Sequence, residues 1–197
     1  MVVNKYKLSF TAASLSINES VKIAEVYLGC KDWKQTKIAV TESNLLQSRT
    51  NSRTIRVVRE LIQRLERLTD SQLELLAEGN PTEQKYILWL AACKTYEIIQ
   101  EFAVEVLHEK FMSRSMILTD LDYDAFFNRK ADWNEYLGRI TPSTRKKIRQ
   151  VLLLMVKEAG LVSDGNMILR AMLSKRLVEA IVSAERLDLL VFPVEPV

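Results

Sequence analysis

An all-α, mostly helical fold is predicted for this 197-residue chain by three features of its sequence. Glycine and proline are sparse, at five and four residues; apolar residues recur at helical spacing; and capping residues stand before most of the periodic runs. At 48% hydrophobic residues the chain can bury a sizeable core. We divide it into an N-terminal helical bundle with an arginine-rich helix, residues 1–115, and a C-terminal helix-turn-helix or winged-helix-like region, residues 116–197, with at most one short β-hairpin.

The elements follow in order. After an irregular start containing Tyr6 to Phe10, a helix from about Asn18 to Leu28 is closed by Gly29, and Asp32 caps a second helix that carries Trp33. Asn44 to Thr69 reads as one amphipathic helix. At about 100° per residue, Arg49, Arg53, Arg56, Arg64 and Arg67 share an arc of roughly 80°, with Ile55, Val58, Leu61, Ile62 and Leu65 opposite. A short helix from Ser71 stops at Gly79, Asn80 and Pro81, and a long central helix is expected from Thr82 to Met112. Asp120 or Asp122 caps a helix that runs through Leu137 and breaks at Gly138. Thr141 and Pro142 then form an N-cap and first-turn pair for a helix ended by Gly160. Asp164 and Gly165 lie between two short apolar runs, a hairpin signature, and a last helix spans Ser174 to about Arg186.

The net charge of +3 is modest, so affinity for an anionic partner must come from local patches. Two exist. Residues 49–68 carry six arginines against Glu60 and Glu66, and residues 139–149 carry Arg139, Arg145, Lys146, Lys147 and Arg149 with no acid. Arginine pairs two-pronged with phosphate or carboxylate, which makes an anionic partner the reading of the first patch. An internal alternative stands beside it: Glu97, Glu101, Glu105 and Glu109 form a like-charge row on the long helix that these arginines could neutralise. In the second patch Ser143, Thr144, Arg145, Lys146 and Lys147 occupy the first turns of a helix. Free N–H groups and the dipole favour phosphate there, as in a recognition helix, unless the cations are only a solvated face.

Catalytic and metal-binding constellations fail on chemistry. Glu105 and His108 have the spacing of half a helical di-iron site, but the chain has one histidine. Asp120, Asp122 and Asp124 open like a calcium loop whose sixth and twelfth positions are Ala125 and Ala131, and they read instead as helix-capping groups. No phosphate-binding glycine loop occurs. Cys30 and Cys93 lack a nearby base and read as small core residues in a reducing compartment. Trp33, Trp89 and Trp133 could stack on bases, but core packing is the ordinary use of single aromatics. No catalytic residue, metal or cofactor is expected, and with no apolar run of spanning or signal length the chain is expected to be cytoplasmic.

The sequence resembles the BrxA family of bacteriophage exclusion (BREX) defence systems, from about Tyr6 to Leu177. The resemblance rests on the order and spacing of Asp32 and Trp33; of Asn44, Arg49, Thr50, Arg53, Arg59, Glu60, Arg64, Leu65 and Leu68; and of Leu88 to Ala91, Phe102, Glu105 and Val106. It continues through Asp122, Tyr123, Phe126, Glu135 to Leu137, Thr141, Ser143, Thr144, Lys147, Arg149, Gln150, Gly160 and Leu161. It implies an all-helical protein similar to the antitermination factor NusB, without enzymatic activity, that binds double-stranded DNA beside other BREX components; the chain's own hydropathy predicts no membrane association, and no small-molecule substrate is expected. The contact residues expected from the charge pattern are the two basic clusters: Arg49, Arg53, Arg56, Arg64 and Arg67, and Thr144, Arg145, Lys146, Lys147 and Arg149. A scaffold without a direct DNA role and a NusB-like RNA binder are the alternatives. The last twenty residues, ending VFPVEPV, match the family pattern poorly.

Overall fold

Left-handed backbone at Ser16 and Lys31, with φ of 50° and 52°, brackets the first helix, α1 (Ile17–Cys30). The structure, a computed structural model, describes residues 5–42 and 51–195, and side chains only from residue 55 in the helix that opens the second stretch. α1 runs past the expected stop at Gly29. Lys31 makes the closing turn, its N–H donating to Tyr27 O at 2.6 Å while its ammonium reaches Asp70 at 2.9 Å. Asp32 caps α2 (Trp33–Glu42) as expected, accepting from the N–H groups of Lys34 and Gln35.

The arginine helix, α3 (Asn51–Leu65), ends four residues before Thr69. Thr69 is committed to the next element as N-cap of α4 (Asp70–Glu78), in a capping box with Gln72. The beginning of the expected helix, Asn44 to Thr50, lies outside the described residues. Asn80 caps α5 (Pro81–Thr95) in a second box with Glu83. At Gly79 an added Cβ would stand 2.3 Å from Leu75 O at the end of α4 and 3.2 Å from Glu83 Cβ of α5, so the tight turn between the two helices requires glycine.

The expected single helix from Thr82 to Met112 is interrupted. Tyr96 is extended (φ −125°, ψ 105°), and beyond it come α6 (Glu97–Phe102), a π-helical turn (Ala103–His108) and α7 (Glu109–Met112). No proline or glycine marks this break; the cause is tertiary, because the Tyr96 hydroxyl is held by side chains of α3. α5 is central: every residue from Tyr86 to Cys93 is buried, as in a helix that is apolar on all sides.

Thr119 and Asp122 form a capping box at the start of α8 (Asp120–Trp133). That helix stops at Asn134, before the Gly138 of the sequence reading, because Asn134 caps a separate short helix, α9 (Glu135–Gly138). Thr141 and Pro142 open α10 (Pro142–Glu158), and Gly160, with φ of 74°, turns the chain after it. The hairpin follows: Ser163 N–H donates to Met167 O and Leu169 N–H to Leu161 O, each at 2.9 Å. Asn166, with φ of 61°, takes the left-handed position beside Gly165. Residues 116–118 lie along the hairpin, through Ile168 N–H to Met116 O and Leu118 N–H to Asn166 O. These contacts make isolated antiparallel bridges at Ile117 with Met167 and at Val162 with Ile168, and no sheet among the described residues. The fold is all-α.

The last helix, α11 (Lys175–Val182), is shorter than expected, and a 3-10 turn (Arg186–Val191) follows it. The tail has a structural role. Val191 O accepts from Trp89 Nε1 at 2.9 Å, Phe192 O from His108 Nδ1 at 2.8 Å and Pro193 O from Ala171 N–H at 2.9 Å, with Phe192 fully buried. Lys94 and Asp188 close this contact with a partly buried ion pair at 2.6 Å.

Glu83 links α5 to α11. Its carboxylate accepts from Ser174 Oγ at 2.6 Å and from Asn80 N–H at 3.0 Å, and Ser174 in turn caps α11. These bonds, that from Ser174 foremost, hold its pKa below the ordinary 4.5. A lowered folded-state pKa stabilises the fold above the unfolded value, and that contribution is lost as pH falls through the folded one. Urea unfolding between about pH 7 and pH 3 is expected to show Glu83→Gln less stable than the parent at neutral pH, with the gap closing towards the acid end.

Candidate nucleic-acid interface

The α3 arginines divide by burial. Arg56 and Arg67 are exposed, whereas Arg64, placed on the same arc by its spacing, is only 3% exposed. Arg49 lies outside the described residues, as does the side chain of Arg53. Arg64 is a structural residue: Nε donates to the Tyr96 hydroxyl at 3.1 Å, Nη2 to Ala13 O at 2.7 Å and Nη1 to Ser14 O. The Tyr96 hydroxyl donates to Glu60, which also accepts from Ser9 Oγ at 3.0 Å. Burial, together with the bond to Glu60, pushes the Tyr96 phenol well above its ordinary pKa. The bundle packs against more of α3 than one apolar stripe requires, so the outer face shifts to Ile55, Arg56, Arg59, Glu66 and Arg67. Ile55, expected in the core, is exposed.

The second cluster also divides. Arg145 donates to Asn128 Oδ1 at 2.7 Å and to the carbonyl and carboxylate of Asp124 at 3.1 Å, with its guanidinium 4.7 Å from the centroid of Phe127. Arg149 bonds the other Asp124 oxygen at 2.8 Å and approaches Asp120 at 3.4 Å. These two arginines fasten α10 to α8. Thr144 is exposed and donates its N–H to the capping Thr141 hydroxyl. Lys146 and Lys147 are exposed and have no ion-pair partner among the described residues. With Gln150, Leu154 and Lys157 they form the outer face of α10, spaced at one to four residues along it. Beside the later turns of that face lies a groove of about 360 Å³, lined by Leu118, Asp120, Gln150, Leu154, Val162 and Asn166 among others.

The aspartates thus do more than cap. Asp122 caps α8 and pairs with Lys110 at 2.8 Å; although burial opposes its ionisation, the Lys110 and Thr119 hydrogen bonds hold its pKa low. Asp120 and Asp124 bind arginine. Two members of the glutamate row meet α8: Lys130 reaches Glu101 at 3.0 Å and also Glu105, and Tyr6 donates to Glu101 at 2.8 Å. Burial weakens the Lys130 charge, but the two carboxylates outweigh it and raise its pKa.

Two further residues, Cys30 and Trp133, depart from the sequence reading. Cys30 is exposed, while Cys93 is buried with its thiol pKa pushed well up by desolvation. Trp133 is 94% exposed at the end of α8, whereas Trp89 is in the core and Trp33 is stacked on Tyr27. Arg59, Gln150 and Lys157 reach the surface patches, and only their helical spacing from neighbouring candidates signals it. Among the described residues no three potential ligands converge on a metal site, and no helix is long and apolar enough to cross a membrane.

Comparison with known proteins places these features in context. A family model described as BrxA matches residues 4–185. A BREX protein BrxA from Bacillus cereus (strain H3081.97) is 29% identical over 160 residues, covering 81% of this chain and 80% of that protein. A BREX protein BrxA from Escherichia coli O9:H4 (strain HS) is 25% identical over 148 residues, covering 75% and 70%. The crystal structure of an uncharacterized protein from Magnetospirillum magneticum superposes with a TM-score of 0.81 over 96% of this chain and 98% of its own, at 18% identity. That likeness is one of fold.

The division of the arginines has a direct test. Arg64→Ala strands Glu60 and two carbonyl groups in the interior and should destabilise the fold by about 3–5 kcal/mol. Arg56→Ala, on the exposed side, should stay within about 0.5 kcal/mol of the parent. Urea unfolding followed by circular dichroism measures both, and equal effects would contradict the assignment.

Proposed function

We propose, starting from the fact that this chain belongs to the BrxA family, that it serves BREX phage defence as a non-enzymatic component that binds double-stranded DNA and works beside other BREX proteins. The observation that carries the DNA reading is the outer face of α10. There Lys146, Lys147 and Lys157 flank Gln150 and have no ion-pair partner among the described residues, while Arg145 and Arg149 are taken up by Asp124. The order of elements supports the same reading. An extended segment at 116–118, α8, the short α9, α10 and a hairpin follow one another as in a winged helix, whose last helix enters the major groove with the hairpin at its flank. Lysines supply phosphate contacts, and Gln150 is the side chain on this face that can read a base edge. Thr144, at the start of the helix, lies where a backbone phosphate would meet its first turn.

Arg56 and Arg67 extend the basic surface on the bundle and suit a secondary contact with the duplex. A scaffold role is the second reading, favoured by Trp133: an almost fully exposed tryptophan is the residue type that most often anchors a protein partner.

Each phosphate contact contributes about one unit to the slope of log affinity against log salt. Lys146→Glu with Lys147→Glu should therefore weaken duplex binding across unrelated sequences and flatten that slope by about two units, without loss of helix. Fluorescence anisotropy over a salt series measures it. Unchanged affinity and slope would leave the scaffold reading.

A further inference from the structure

A second site lies on the N-terminal bundle, remote in sequence from α10. The groove between α2 and α3 has a volume of about 230 Å³, and Trp33, Lys34, Lys37, Arg59, Gln63 and Glu66 line it. Three observations describe what it can hold. Lys34, Lys37 and Arg59 are exposed cations with no carboxylate partner among the described residues, and they outnumber the one acid on the wall, Glu66. The Nε2 amide of Gln63 lies behind the groove wall with no acceptor among the described residues, and a turn of its side chain presents it to the groove. A buried donor without a partner is uncommon and destabilising, and it marks a place where an acceptor is missing. Trp33 adds an aromatic wall whose ring is fixed by stacking on Tyr27, with centroids 3.8 Å apart and planes 16° from parallel. The groove is thus rich in donors, positive and aromatic on one side. Its volume is below the roughly 300 Å³ at which pockets for whole drug-sized ligands begin, so it admits one ring system and not a dinucleotide cofactor.

We infer that this groove binds a single nucleotide unit, its base against Trp33 and the Gln63 amide and its phosphate on Lys34, Lys37 and Arg59. Base-on-aromatic stacking combined with cations that follow a phosphate is the way unpaired nucleotides are held, and a base within a duplex cannot offer its face. The ligand is a free nucleoside monophosphate or an unpaired nucleotide at the end of a strand, and both present the same chemistry. The site is independent of the duplex contact assigned to α10.

Tryptophan fluorescence provides the test, on the full chain carrying Trp133→Phe, so that the partly buried Trp33 is the indole that reaches the surface and the buried Trp89 is silent to added ligand. The probes are adenosine monophosphate, a 5′-phosphorylated eight-residue oligodeoxyadenylate, and a blunt duplex of that sequence. Saturable quenching by the monophosphate or by the single strand is expected, and which of the two binds at lower concentration identifies the source. Lys34→Glu with Arg59→Glu should weaken that binding at least tenfold with helix content unchanged. Gln63→Leu should weaken it several-fold while leaving thermal stability equal or higher, since the amide it removes has no partner within the protein. Lys146→Glu with Lys147→Glu should leave the quenching intact, which separates this site from the α10 face. Absence of quenching by both monophosphate and single strand, a response to duplex alone, or binding unchanged by the Lys34 and Arg59 charge reversals would overturn the assignment.

Discussion

A guanidinium held away from water keeps its charge and must be given acceptors, and Arg64 receives them from three places at once: the carbonyls of Ala13 and Ser14, the hydroxyl of Tyr96 and, through that hydroxyl, Glu60. This contact fixes the N-terminal segment, α3 and the junction of α5 with α6 against one another. It accounts for the interruption at Tyr96, because the residue that breaks the helix is the one that reaches the buried pair. The apolar α5 then has a fixed position, and the tail crosses it at Trp89 and reaches the π turn at His108.

Charge pairing also decides which cations remain available. Asp124 takes Arg145 and Arg149 and joins α10 to α8, and Lys130 takes Glu101 of α6 and Glu105 of the π turn. These pairs are partly exposed, so each contributes little to stability, but together they set the register of α8 between its neighbours. What is left over is informative. Lys146, Lys147 and Lys157 on α10, and Lys34, Lys37 and Arg59 around the α2–α3 groove, have no carboxylate partner among the described residues and occupy two separate faces. The first is a convex helix beside a hairpin, suited to a groove in a duplex; the second is a concavity with an aromatic wall, suited to one unpaired nucleotide.

Much of the fold was legible in local chemistry. The caps at Asp32 and Thr141, the helix break at Asn80, the turn at Gly160 and the hairpin around Asp164 and Gly165 are each set by a few adjacent residues, whose hydrogen bonds form whatever the distant chain does. The overall helical class follows from the same signals. Helix ends were misplaced where two residues compete for one role, as Gly138 and Asn134 do, or where a distant partner holds the chain, as Asp70 holds Lys31 and α3 holds Tyr96.

Periodicity assigns a residue to a side of a helix but not to a neighbour. The sequence by itself therefore determined that α3 and α10 are basic and helical, and that the chain falls in the BrxA family. Only the tertiary structure decided that Arg64 is internal while Arg56 is exposed, that Arg145 and Arg149 are fastened to Asp124 while Lys146 and Lys147 are not, and that Trp133 faces solvent. The physical reason is that a charged side chain has the same propensity whether it meets water, phosphate or a carboxylate. Its partner is chosen by elements that packing brings beside it from far along the chain.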